Sequence, residues 1–224
     1  MCIIVVKPSS VVVSRSILEN CFANNPDGAG YMFANEGKVL IKKGFFDFEE
    51  FYESLEKTRR VIGDTAPVVF HFRISTGGMI DKTNSHPHRI ATDLAFVHNG
   101  ILWNVRKTSK VSDTIQYRDG YLSGMIGDDL KKHGLFNLIA SHIGLGNKFV
   151  FLNGRGEYVI CNERSGVWDG ELWFSNTTYE AKEFSYSGRY DYNEWNDRGD
   201  ALSEDCPAYC DECGEELLSD AEIN

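Results

Sequence analysis

The stretch Cys2-Ile3-Ile4-Val5-Val6 constrains the fold more than any other part of the chain. Four consecutive β-branched residues with no polar alternation, closed by Lys7-Pro8, read as a strand buried on both faces. A strand covered on both sides needs a layer on each side, so the chain is expected to build a layered domain.

The rest of the pattern supplies candidate layers. Tyr31-Met32-Phe33-Ala34 and Val39-Leu40-Ile41 flank Asn35-Glu36-Gly37, a hairpin signal with a glycine available for positive φ. Phe48, Phe51, Tyr52 and Leu55 follow helical spacing behind Asp47 and Glu50, which resemble a capping box. Strands are expected over 68–74 and 94–98, separated by a polar loop holding Asn84-Ser85-His86-Pro87-His88. A second helix is expected to start at Ser112-Asp113, and a third over 135–143, stopping at Gly144. Strands return over 148–152, 157–161 and 172–174. Strands in pairs, then helices, then strands indicate an α+β domain rather than a βαβ wheel. Gly28-Ala29-Gly30 precedes a strand pattern rather than a helix, so it is not a dinucleotide loop.

Charge and cysteine usage narrow the function classes. The net charge of −10 is concentrated in 189–224, where acidic residues dominate, and the remainder is neutral in total. That balance disfavours nucleic acid as a partner. No apolar run approaches the roughly 18 residues of a membrane helix, and the start lacks the basic and apolar regions of a secretory signal. A cytoplasmic protein without a membrane partner is therefore expected. Six cysteines in 224 residues are too few for a disulfide scaffold, which favours reduced thiols. Cys206, Cys210 and Cys213 form a Cys-x-x-Cys-Gly knuckle with a third thiol upstream, an incomplete set for structural zinc in the tail. The simpler account is an acidic tail with incidental thiols, or one that docks on a basic partner surface.

The chemically interesting residues each have an ordinary explanation. Cys2 fits a buried strand start, Arg73 an outward strand position, Asn99-Gly100 a tight turn, and Asp113 a helix start. His71, His86, His88 and His98 fit core or loop positions better than metal ligation.

Taken in order, however, Met1-Cys2-Ile3-Ile4, Asn25-Pro26-Asp27-Gly28-Ala29-Gly30, His71-Phe72-Arg73-Ile74-Ser75-Thr76-Gly77-Gly78, Asn84-Ser85-His86-Pro87, Val97-His98-Asn99-Gly100-Ile101 and Ser112-Asp113-Thr114 resemble the class II glutamine amidotransferases of the N-terminal nucleophile hydrolase superfamily. The resemblance implies a four-layer αββα sandwich of two antiparallel sheets, spanning residues 2–188, with 189–224 as an acidic tail. It implies that Cys2 is the nucleophile, with its own α-amine as base once Met1 is removed. Asn99 and Gly100 would supply oxyanion donors. Arg73, Thr76 and Asp113 would grip the amino-acid head of glutamine. Asp27-Gly28 is expected to shape the backbone beside the nucleophile.

Ile74 and Gly77 depart from the residues common in the family at those positions. No cofactor is implied for catalysis. The chain ends soon after this unit, so a separate synthase or ligase is expected to accept the ammonia. Two other readings remain open: an idle amidotransferase-like binding or regulatory domain, and an amidohydrolase acting on another γ-glutamyl compound.

Overall fold

A computed structural model describes residues 2–75, 78–105, 108 and 110–181. The first strand, β1 (Ile3–Lys7), is buried along its whole length. It is followed by α1 (Arg15–Asn24), β2 (Ala29–Asn35), β3 (Lys38–Phe45), α2 (Phe48–Ile62) and β4 (Val68–Phe72). The second half adds β5 (His88–Ala91), β6 (Leu94–Asn99), α3 (Asp113–Tyr117), α4 (His133–Ile143), β7 (Lys148–Asn153), β8 (Tyr158–Cys161), β9 (Val167–Asp169) and β10 (Leu172–Phe174).

Two antiparallel sheets result, a six-stranded one in the order β3-β2-β4-β1-β10-β9 and a four-stranded one in the order β5-β6-β7-β8. The two-residue alternation of each strand sorts its side chains between two cores. Ile3 and Val5 pack with Phe70, Phe72 and Phe174 against Leu18, Phe22, Phe51 and Leu55 of α1 and α2. Ile4 and Val6 turn the other way and meet Ala95, Val97, Val150 and Leu152 of the second sheet. Phe96, Phe149 and Phe151 then face Phe136, Ile139 and Ile143 of α4. Helices, sheet, sheet and helix make the expected αββα sandwich.

Local signals placed most elements. The β2–β3 hairpin turns at Glu36 and Gly37, both at positive φ (50° and 75°). Asp47 caps α2 by accepting from Glu50 N at 3.0 Å, and α4 ends at Gly144, where φ is 75°. The Ser112 side chain caps α3, which is five residues long. The pattern gave no helix over 15–24, yet α1 forms there behind the Ser14 cap. Only Leu18, Cys21 and Phe22 of its ten residues are buried, too narrow an apolar stripe to stand out from its sequence. The short edge strands β5 and β9 also escaped the pattern, the latter because all three of its residues are exposed.

Candidate active site

Strand parity carries the chemical residues into the space between the sheets. Ile3 pairs with Phe72 across β1 and β4, so Cys2 and Arg73 lie side by side where that ladder ends. Both continue the face that carries Ile4 and His71. In β6 the same alternation sends Asn99 toward the first sheet with Ala95 and Val97, while His98 faces the helical layer with Phe96.

Cys2, Arg73, Ile74, His86, His98, Gly100, Ser112, Asp113 and Thr114 line one cleft. Its cavity volume is about 30 Å³. The Cys2 thiol donates weakly to the Ile74 carbonyl at 3.4 Å. Burial pushes this thiol up, with the neighbouring Arg73 charge pulling the other way. It therefore rests protonated, and attack by sulfur needs a base.

Arg73 is 4% exposed, which removes the outward-facing account of this residue. Its guanidinium donates to Met79 O (3.0 Å) and Ser75 Oγ (3.2 Å). Asp27 supports this segment: its N–H donates to Arg73 O at 2.9 Å, and its carboxylate accepts from Ser75 N at 2.7 Å. Asp27 thus braces the arginine segment, whose Ile74 carbonyl accepts from the Cys2 thiol.

Asn99-Gly100 is not a hairpin turn. Asn99 ends β6, opposite Lys148 of β7, and Gly100 takes a φ of 141°. A Cβ at Gly100 would also collide with Asn147, so both conformation and space require glycine here. Asp113 is the first residue of α3, and its carboxylate accepts from Leu102 N (2.8 Å) and Thr114 N (2.7 Å). Two backbone N–H donors leave further lone pairs on those oxygens.

Buried histidines support this side of the cleft. His98 Nδ1 meets Thr114 Oγ1 at 2.7 Å and His98 Nε2 meets Asn147 Oδ1 at 2.8 Å. Asn147 Nδ2 donates to Ile143 O, so its oxygen faces the ring; His98 is then protonated on Nε2 and accepts from Thr114 on Nδ1. His71 Nε2 donates to His98 O (2.9 Å), and His86 Nδ1 accepts from His98 N (3.1 Å). The rings of His71 and His86 stack at 4.0 Å. Burial drives His71 down to about 3 and lowers His86, His88 and His98, so all four are neutral.

Ser175 and Asn176, just past β10, are site neighbours that the pattern did not single out. Asn176 Nδ2 donates to the Cys2 carbonyl at 2.7 Å, and Ser175 Oγ lies 2.7 Å from Asn99 Nδ2. They follow Leu172-Trp173-Phe174 without any motif, and only the pairing of β10 with β1 brings them here. Thr76 and the tail cysteines Cys206, Cys210 and Cys213 lie outside the described residues. Among the described residues, no group of three or more His, Cys, Asp or Glu side chains could hold a metal ion, and no helix is long and apolar enough to cross a membrane.

The fold is of the type expected, and the resemblance to the class II glutamine amidotransferases is borne out by comparison with known proteins. No family model matches the chain. It is 34% identical over 105 residues, 46% of its length, to the glutamine–fructose-6-phosphate aminotransferase (isomerizing) of Pyrococcus horikoshii. It is 32% identical over 79 residues, 35% of its length, to the enzyme of the same name from Buchnera aphidicola subsp. Baizongia pistaciae. These matches span 17% and 12% of the two relatives' own lengths. In fold, it is similar to the glutamine phosphoribosylpyrophosphate amidotransferase of B. subtilis, solved in complex with ADP and GMP. That likeness has a TM-score of 0.52 at 17% identity, over 78% of this chain and 41% of the other.

Proposed function

We propose that this chain hydrolyses the side-chain amide of glutamine and releases ammonia for transfer to an acceptor held by a separate synthase or ligase. The observation that carries the reading is that Cys2, Arg73, Gly100 and Asp113, from four separate segments, line a single cleft. Hydrolysis of an unactivated amide needs a nucleophile, a base, an oxyanion site and a grip on the substrate, and each has a candidate here.

In this reading Met1 is removed, and the exposed α-amine of Cys2, with an ordinary pKa near 7.7–8.0, takes the thiol proton. The sulfur attacks the amide carbon of glutamine, and the oxyanion is held by Gly100 N–H and the Asn99 amide. Collapse breaks the C–N bond as the α-ammonium returns its proton to the departing nitrogen, which leaves as ammonia. Water then adds to the thioester, releasing glutamate and restoring the thiol. Arg73 pairs with the α-carboxylate of glutamine as a planar fork, with Thr76 as a second donor, and Asp113 pairs with the α-ammonium. Simple amides are rejected because they leave those charged groups unpaired.

The test is release of glutamate and ammonia from glutamine by protein whose N-terminal residue is Cys2. The expected result is turnover there and none when an uncleavable residue precedes Cys2. Equal turnover by both forms contradicts the α-amine as base, and no turnover by the processed form favours an idle binding domain or another γ-glutamyl substrate. For the tail we propose zinc at Cys206, Cys210 and Cys213 with a fourth ligand from elsewhere; the full chain should then copurify with one zinc, lost on Cys213→Ser.

A further inference from the structure

Ser175 is fully buried and ties two parts of the proposed site together. Its backbone N–H donates to Ile4 O at 3.0 Å, and its Oγ accepts from Ile4 N at 2.8 Å. Ile4 lies in β1, two residues beyond Cys2. The other neighbour of this Oγ is the Asn99 carboxamide, whose Nδ2 lies 2.7 Å away.

With the amide in that orientation, Oγ receives two N–H donors and its own hydrogen has no acceptor among these contacts. Asn99 Oδ1, meanwhile, is buried without a hydrogen-bond partner. The two ends of a carboxamide have nearly the same shape, and the hydrogen bonds decide which end is nitrogen. With the amide turned over, Ile4 N–H donates to Ser175 Oγ and Ser175 O–H donates to Asn99 Oδ1, so the hydroxyl both accepts and donates. The NH2 group then occupies the place where the oxygen lacked a partner.

We propose that Ser175 is a positioning residue that sets the orientation of the Asn99 amide. Its hydroxyl holds the amide oxygen and turns the NH2 group away from Ser175, ready to donate to a developing oxyanion. The inference rests on the glutaminase reading for its catalytic consequence, but not for the hydrogen-bond assignment itself. An NH2 group without a partner in the resting protein gains one only as the oxyanion forms, and that kind of interaction raises kcat rather than lowering KM.

Two measurements test this. In processed protein, Ser175→Ala should lower kcat about 10- to 100-fold, below the loss for deleting an oxyanion donor outright, with KM for glutamine nearly unchanged. In an Asn99→Ala background the same change should add little, and Ser175→Thr, which keeps the hydroxyl, should recover most of kcat. A full additional loss in that background, or a loss confined to KM, overturns the positioning role. Neutron diffraction from the deuterium-exchanged wild-type protein reads the amide without any turnover. Deuterons on the Asn99 atom facing away from Ser175, with the Ser175 deuteron on the Asn99 oxygen, are expected. Deuterons on the atom facing Ser175 overturn the inference whatever the activity. The expected neutron result from a wild-type protein inert toward glutamine would instead defeat the glutaminase reading and leave the Ser175–Asn99 assignment standing.

Discussion

On one wall of the cleft, Cys2 and Arg73 extend a ladder of apolar strands, whereas on the other Gly100 and Asp113, with Asn99 next to Gly100 at the end of β6, depend on a buried polar network centred on His98. The first wall is held by backbone pairing between β1 and β4 and by hydrophobic cores on both faces of the sheet. The second is held by His98, Thr114 and Asn147, whose hydrogen bonds link the end of β6 to α3 and to the loop after α4. Apolar packing tolerates loss of a side chain at its edge, but a buried polar network leaves each broken partner desolvated. Substitutions on the first wall should therefore alter chemistry with little effect on folding, and those on the second should alter both.

The largest expected effect is on the first wall. Cys2→Ala should reduce glutamine turnover by at least about 10⁴-fold, as expected for loss of a nucleophile, with a thermal midpoint close to wild type, since Cys2 makes one weak side-chain hydrogen bond. Steady-state assays paired with thermal melts check this, and a large drop in the midpoint would break the contrast between the walls.

Next in size is His98→Ala on the second wall. It strips Thr114 Oγ1 and Asn147 Oδ1 of their ring partner and opens a void, and should cost about 3 kcal/mol of stability, measured by urea unfolding. A loss below about 1 kcal/mol would mean that the network is not what holds this wall.

Asp113→Asn should sharpen the comparison further. It keeps an oxygen for one of the two backbone donors but removes the charge, so KM for glutamine should rise about 10- to 100-fold, the value of one charged hydrogen bond, with a smaller change in kcat. Initial-rate kinetics decide it, and an unchanged KM would remove Asp113 from substrate binding.

The smallest effect per residue is on pH dependence. His71, His86, His88 and His98 are neutral in the fold because burial lowers them, whereas in the unfolded chain they take up protons near pH 6.5. Unfolding then binds protons below that pH, so stability is complete above about 6.5 and falls as the pH drops toward the folded value, about 3 for His71. Each histidine that stays neutral should remove about 1.4 kcal/mol per pH unit within that window. Urea midpoints between pH 7 and 5 measure it, and a flat profile would contradict the neutral cluster.

The two walls also differ in how far they could be read in advance. The β1 run announced a strand buried on both faces, and that alone fixed the layered architecture. An all-apolar strand hides its parity, however, so nothing in Ile3-Ile4-Val5-Val6 told which side faced the second sheet, nor that Arg73 would be buried beside Cys2. Asn99-Gly100 was read locally as a turn and through the family resemblance as an oxyanion site; local chemistry failed because the φ of 141° at Gly100 answers to Asn147, distant in sequence. Asp113 at a helix start was legible from its Ser112 cap. Ser175, Asn176 and Asn147 were illegible because each acts through contacts across long sequence separation, and small polar residues beside a strand carry no periodic signal.

The central claim is that Cys2 becomes an N-terminal, glutamine-directed nucleophile. The most direct measurement is the intact mass of the purified full chain before and after exposure to a diazoketone analogue of glutamine. Loss of Met1 followed by a single adduct on Cys2, absent in Cys2→Ala and suppressed by excess glutamine, is the predicted result. A chain that has lost Met1 yet takes up no adduct, or takes it up equally with glutamine present, would contradict the account.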